Sequence, residues 1–300
     1  KGAIRNARQK IDFFHNQYVF ATSKLYLNKM RRKILELGMH IEYKAFQKTG
    51  NQKHLIQALL FADQAKSNVL NERMQLASIV NSNAISHDTR DLRFQRVYQL
   101  NQYETDGNTN EAIKLRNSID SLDRALGLKK SKSFSAEGLQ RIQRGMTDNQ
   151  LLIEYFIVKS TLYTFSITKD NISATQKQFT ATQEVLTYYQ ILQNPSVSIE
   201  DFWKSSIPLY ELLIPMGIEN YTDVTIIPDG VLYFLPFGTL INNSTAKPSW
   251  GSLPYLEKSH TLSYDFSLQT MTQASTYDYS SSYTGFAPRF DNNEKLTYLN

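Results

Sequence analysis

Hydrophobic residues recur with two different periods along the chain, and the change falls near Asp148. Before about Gly145 the spacing is helical. Residues 17–37 carry Tyr18, Leu25, Leu27, Ile34 and Leu37 among many lysines and arginines. In residues 41–70, Tyr43, Ala45 and Phe46 precede a Thr49-Gly50-Asn51 break. Ala58, Ala62, Ala65 and Val69 then recur at i, i+4, i+7 and i+11, one face of an α-helix. Small residues on that face let a neighbouring helix come close, so the segment predicts a helical hairpin. Residues 88–127 continue as helix through Leu92, Val97, Leu100, Ile113, Leu115, Ile119, Leu122 and Leu126, with a turn at TDGNTN, 105–110. The basic, serine-rich KKSKSFS, 129–135, reads as a solvated linker or as a contact for phosphate or an acidic partner.

Beyond Asp148 the residue types change. LLIEYFIVKSTLYTFSITKDNIS, 151–173, holds two runs rich in Ile, Val, Phe, Tyr and Thr, separated by Lys159-Ser160 and ended by Lys169-Asp170-Asn171. That is the pattern of a β-hairpin. Helices are expected over about 176–192 and 199–213. The second opens on Ser198-x-x-Asp201, a capping pattern, and Pro208 should bend or split it. Val224-Thr225-Ile226-Ile227 reads as a short buried strand closed by Pro228-Asp229-Gly230. Residues 260–264 and 282–287 read as further strands, with a helix from about 266 to 275 between them. Short apolar strands alternating with helices predict an α/β domain with a largely parallel sheet. The division expected is a helical region over 1–145 and an α/β region over 146–300.

Composition narrows the chemistry. Hydrophobic residues make up 41% of the 300, enough to build cores. A net charge of +5 over this length falls short of a nucleic-acid footprint. The chain has no cysteine, which excludes disulfides, thiolate metal sites and a cysteine nucleophile within it. The most apolar stretch, 224–241, is interrupted by Pro228, Asp229, Gly230 and Pro236, so no transmembrane segment is expected. The first twenty residues lack a signal-peptide core and cleavage site, and a cytoplasmic protein is expected. The chain starts at Lys1 without an initiator Met, and we read it as part of something longer.

One segment is specific. In IIPDGVLYFLPFGTLI, 226–241, a hydrophobic strand is followed by Pro228-Asp229-Gly230, Leu232, Leu235-Pro236-Phe237 and Leu240. This resembles the opening signature of a CHAT domain, the caspase-like cysteine peptidase architecture. Other segments resemble CHAT elements in the family's order. ALLFADQAKSNVLNERM, 58–74, resembles the final repeat helix, and LLIEYFIVKSTLYTFSIT, 151–168, the leading hairpin. PLYELLIP, 208–215, resembles the helix before the signature strand. PYLEKSHTLSYDFSLQTM, 254–271, resembles the strand-then-helix element, with Ser267 at the usual Ser but Asp265-Phe266 in place of Ala-Pro. YTGFAPRF, 283–290, resembles the Gly-x-Pro strand. Together they cover about residues 55–300.

The resemblance implies tetratricopeptide-like (TPR-like) helical hairpins followed by the first part of a caspase-like α/β domain. The 41–70 hairpin fits one such repeat, or any antiparallel helix pair. About three repeats are needed to bury a continuous core, so others are expected upstream. In the family a His and a Cys on the strands after the Gly-x-Pro strand form the catalytic dyad. Those positions fall after Asn300, so no catalytic residue is carried over and the chain is not catalytic by itself.

Among the remaining candidates, Asp229 reads as a turn residue closing an Asx-turn or as a site carboxylate. Arg289, just past a predicted strand, reads as a surface residue or as a substrate contact that pairs with an acidic side chain. His15, His40, His54, His87 and His260 show no metal-ligand spacing, and Ser259 and His260 should point to opposite faces of a strand. No nucleotide-binding or Gly-x-Ser-x-Gly motif occurs, and no cofactor or metal is expected. Asn171, Asn220, Asn242 and Asn243 head sequons that decide nothing. The expected partner is a protein, as substrate or regulator of a TPR–CHAT cysteine peptidase. The alternative is a non-catalytic protein-interaction scaffold with a degenerate CHAT domain.

Overall fold

A computed structural model describes residues 21–66, 87–125, 134–242 and 249–272, with isolated residues 6, 7 and 10 ahead of them. Arg289, the strand expected at 282–287, Val69 and the KKSKS segment lie outside the described residues.

Helix α1 spans Ala21–Thr49. It fuses the two segments read separately from sequence, because Gly38 does not interrupt it. A Cβ at Gly38 would lie 3.1 Å from the Phe61 ring of the next helix, so glycine here serves close packing. Gly50 ends α1 in the left-handed region, at φ +64°, where its amide donates to the Phe46 carbonyl. Asn51 then caps α2, Gln52–Gln64, by accepting the Lys53 amide at 3.0 Å. Ala58, Ala62 and Ala65 of the expected small-residue face are buried. Helices α3, His87–Thr105, and α4, Thr109–Ala125, form a second hairpin around Leu100, Ala112 and Ile119, with Gly107 at φ +73° in the turn. Helix α5 covers Ala136–Gly145.

The sheet follows. Strands β1, Gln150–Val158, and β2, Thr161–Ile167, pair antiparallel across Lys159-Ser160, and Lys159 takes φ +53° in that turn. Strand β3, Ile172–Gln178, pairs antiparallel with β2. Helices α6, Thr182–Gln193, and α7, Ile199–Leu213, lead to β4, Asp223–Ile227, which is parallel to β1. The short helix α8, Leu256–Ser259, precedes β5, Thr261–Tyr264, which is parallel to β4, and α9, Leu268–Met271, follows it. The order is β3-β2-β1-β4-β5, a five-stranded mixed sheet in a mixed α/β fold.

Two expectations are corrected, and a third, a bend or a split at Pro208, is narrowed to exclude the split. The sheet is mixed rather than largely parallel, because the connections Lys159-Ser160 and 168–171 are too short for a crossover and force antiparallel pairing. Residues 172–178 form a strand where helix was expected to begin at 176. Their alternation is weak because β3 is mostly exposed, and α6 starts only at Thr182. Helix α7 is not split at Pro208. It is capped as expected by Ser198, which accepts the Asp201 amide at 3.1 Å.

Strand β1 is buried on both faces, and its alternation assigns residues to two layers. Leu151, Ile153 and Tyr155 join α6, α7 and the turns after β4. Leu152 and Phe156 join α1, α2, α5, Tyr163, Phe165, Ile227 and Leu268. The α1–α2 hairpin is therefore one layer of the sandwich and shares its core with the sheet. Among the described residues no helix is long and apolar enough to cross a membrane.

Candidate functional site

Strands β1, β4 and β5 run in one direction, so their carboxyl ends share one side of the sheet, the side on which open α/β sheets bind ligands. The chain leaves β4 through Pro228-Asp229-Gly230. Gly230 takes φ +57°, which only glycine adopts freely. Asp229 is buried, and its side chain makes no capping bond to the turn that follows. Its Oδ2 instead accepts the Ile157 amide near the end of β1 at 2.8 Å. Arg32 of α1 donates to both carboxylate oxygens, at 3.1 and 2.8 Å, and to the Ile157 carbonyl at 3.2 Å. The guanidinium also bonds Glu36 at 2.9 Å and lies 5.1 Å from the centre of the Phe156 ring. Burial works against the charge of Arg32. The hydrogen bonds and charges of Asp229 and Glu36 together outweigh it, and its pKa lies above the ordinary arginine value.

A second group of charges sits beside the first. Glu154 lies in β1, opposite Ile227 of β4, and is fully buried. Lys66, just past α2, pairs with Glu154 Oε1 at 3.2 Å and reaches the Ile227 carbonyl at 3.4 Å. Asp63 of α2 is also buried, and its Oδ1 accepts the Leu268 amide at 2.5 Å. Among the described residues Asp63 Oδ2 and Glu154 Oε2 have no hydrogen-bonding partner. Burial first, then the charge of Glu154, push the Asp63 carboxyl well above its usual range, against Lys66 and the amides of Leu268 and Gln269. Burial also raises Glu154; Lys66 opposes this and Asp229 adds to it. One ammonium faces two buried carboxyls, an arrangement that favours their sharing a proton.

Past β5, Asp265 accepts the Phe266 amide at 2.6 Å and a hydrogen bond from Thr270. Ser267 is buried and forms a reciprocal capping box with Thr270 at the start of α9. Tyr233, Phe234, Tyr264 and Phe266 are exposed around these exits, and the Tyr233 and Phe266 rings stack at 6.4 Å. Burial, then Asp229 and Glu154, raise the Tyr233 hydroxyl above its ordinary value.

The sequence candidates fare differently. Asp229 belongs to the site, but it clamps Arg32 and β1 rather than closing an Asx-turn. The two other strong contributors inside apolar runs had a readable signal: Glu154 interrupts LLIEYFIV, and Asp63 interrupts ALLFADQA. A carboxyl in such a run must find partners. Arg32 sits among many other basic residues, and Lys66 follows the helix in a polar Lys-Ser-Asn stretch, so neither carries such a mark. His260 Nδ1 meets the Tyr221 carbonyl at 2.7 Å, His40 meets the Tyr163 hydroxyl at 3.0 Å and His54 meets Glu42 at 2.5 Å. Among the described residues no group of three His, Cys, Asp or Glu is arranged to hold a metal ion. Leu235 and Phe237 are core residues, and Phe237 stacks on Tyr155 at 5.4 Å.

Fold and site together define a mixed α/β chain with a buried charge network beneath the carboxyl ends of three parallel strands. Compared with known proteins, the sequence matches no family model and no curated protein.

Proposed function

We propose that this chain is the front part of a TPR–CHAT cysteine peptidase of the caspase-like clan. Its α1–α2 hairpin is the TPR-like element, and the sheet from β1 to β5 is the first part of the CHAT fold. In this reading the chain contributes the scaffold and the regulatory helices, and the His–Cys dyad comes from strands later in the sequence. The imidazole would help form the thiolate that attacks a scissile carbonyl. The substrate is a protein.

The observation that supports the reading most is the environment of β4. A short apolar strand lies between two parallel neighbours and ends at a Pro-Asp-Gly turn whose Pro228 and Asp229 are buried. The Leu-Pro-Phe segment then folds back into the core against β1, and a helical hairpin covers the opposite face. These relations are what supports reading β4 as the entry strand of a caspase-type sheet.

The test uses the full-length protein that contains this chain. Cleavage of a fluorescent protein substrate, abolished by iodoacetamide and by replacing the downstream Cys with Ala, is the expected result. A full-length sequence with no Cys beyond the Gly-x-Pro segment would overturn the peptidase reading, and this chain incubated by itself is expected to cleave nothing.

A further inference from the structure

Two residues of the helical hairpin hold two different exits of the sheet. Arg32, on α1, fixes the Asp229 turn after β4 and ties it to Ile157 at the end of β1. Asp63, near the end of α2, fixes the start of α9 after β5 through the Leu268 amide. Between these anchors lie Lys66 and Glu154. Lys66 bonds Glu154 and the Ile227 carbonyl, two residues before Asp229. Asp63 lies within electrostatic reach of Glu154 and Lys66, and Glu154 within reach of Asp229. The two helices are themselves joined at this point, where Arg31 of α1 donates to the Gln64 carbonyl at 2.9 Å. By contacts alone, the path from the Leu268 amide runs to the Asp63 side chain, from the Asp63 carbonyl to the Lys66 amide at 3.1 Å, from the Lys66 ammonium to Glu154 and the Ile227 carbonyl, and along the turn after β4 to Asp229 and the Ile157 amide.

Burial makes this path cooperative. An exposed ion pair is screened and contributes little. A buried charge that loses its partner stays uncompensated and acts on the next charge in line. Loosening one anchor therefore changes the field at the other. We infer that the α1–α2 hairpin is a regulatory clamp on the carboxyl end of the sheet, in which Arg32 and Asp63 hold the exits of β4 and β5 as one unit through Lys66 and Glu154, so that moving the hairpin releases both exits together. The inference rests on the proposed function only in taking the carboxyl end of the sheet as the working end. Its test needs no peptidase activity, so the two can fail separately.

The experiment is amide hydrogen exchange on the purified chain, read at Ile157 near one anchor and at Leu268 and Gln269 near the other. Arg32→Gln removes the charge on one side only. The clamp predicts exchange faster by about tenfold or more at Ile157, and a rise in the same direction at Leu268 and Gln269, while the β2–β3 amides keep their protection. If Arg32→Gln does not give folded protein, Asp63→Ala supplies the reciprocal comparison: it removes the acceptor of the Leu268 amide, and the clamp predicts faster exchange at Leu268 and Gln269 together with a rise at Ile157. A rise confined to the altered anchor would show two independent anchors and overturn the clamp. An equal rise at the β2–β3 amides would show general loss of stability and overturn it as well.

Discussion

At the scale of single residues, charge burial decides most of what this molecule can tolerate. Arg32→Ala leaves the Asp229 carboxylate buried with only the Ile157 amide for support. The expected loss is about 2 kcal/mol or more in urea unfolding, tempered by the partial exposure of Arg32. Asp229→Asn is expected to cost less, since its amide oxygen can still accept the Ile157 amide. The Asp63 and Glu154 carboxyls give a signed pH dependence. Both have folded pKa values above their ordinary ones, so the folded state binds protons more tightly than the unfolded state. Their contribution to stability is fully present below about pH 4 and is lost as pH rises through the raised values. Asp63→Asn removes one titrating group and leaves Glu154 with Lys66 as a simple pair. Its urea midpoint is expected to gain on the wild type as pH rises from 4 to 8; a constant difference over that range would refute the shared-proton arrangement. Asp63 and Glu154 were missed from sequence, although each interrupts an apolar run; Arg32 was also missed, because a basic residue on a basic helix carries no local sign of its distant partner.

At the scale of elements, local chemistry and close packing are separable. Gly50 ends α1 with positive φ and has open space around it, so Gly50→Ala is expected to cost about 1 kcal/mol from backbone strain alone. Gly38 has ordinary backbone but faces Phe61, so Gly38→Val is expected to cost about 1–3 kcal/mol by overpacking the α1–α2 contact. Thermal unfolding of the two variants ranks these costs. The hairpin turns, the Ser198 cap and strands β1, β2, β4 and β5 were readable because their signals are local. Strand β3 was missed because an exposed edge strand has no buried face to impose alternation. Of the two effects expected at Pro208, a bend or a split, the split does not occur: α7 runs on to Leu213 and buries Leu209 and Leu213 in the core, where tertiary packing outweighs the local penalty.

At the scale of the whole molecule, the helical hairpin and the sheet are not independent. Leu35, Met39, Leu55 and Leu59 share one apolar cluster with Leu152, Phe156 and Phe165. A chain beginning at Phe134 would expose that face of the sheet. It is expected to bind hydrophobic dyes and to lose cooperative unfolding in circular dichroism, while the chain with the hairpin keeps both native properties. Cooperative unfolding of the shorter chain would mean that the hairpin only decorates a self-sufficient sheet. The proposed peptidase role and the proposed clamp both place function at the carboxyl ends of β1, β4 and β5. There Tyr233 and Phe266 stack on each other, and both are exposed.

Sequence by itself determined most of the local units: the helices and strands other than β3, the glycine turns that end helices, and that Pro228-Asp229-Gly230 closes a buried strand. These follow from steric limits and periodicities that act over a few residues. Only the tertiary structure decided that β1 and β4 are neighbours, that the first helices cover the sheet, and that Arg32 meets Asp229 while Asp63 meets the start of α9. Those pairings join residues far apart in the chain. They arise because buried charges must find partners, a requirement that sequence states but whose solution depends on how the layers pack.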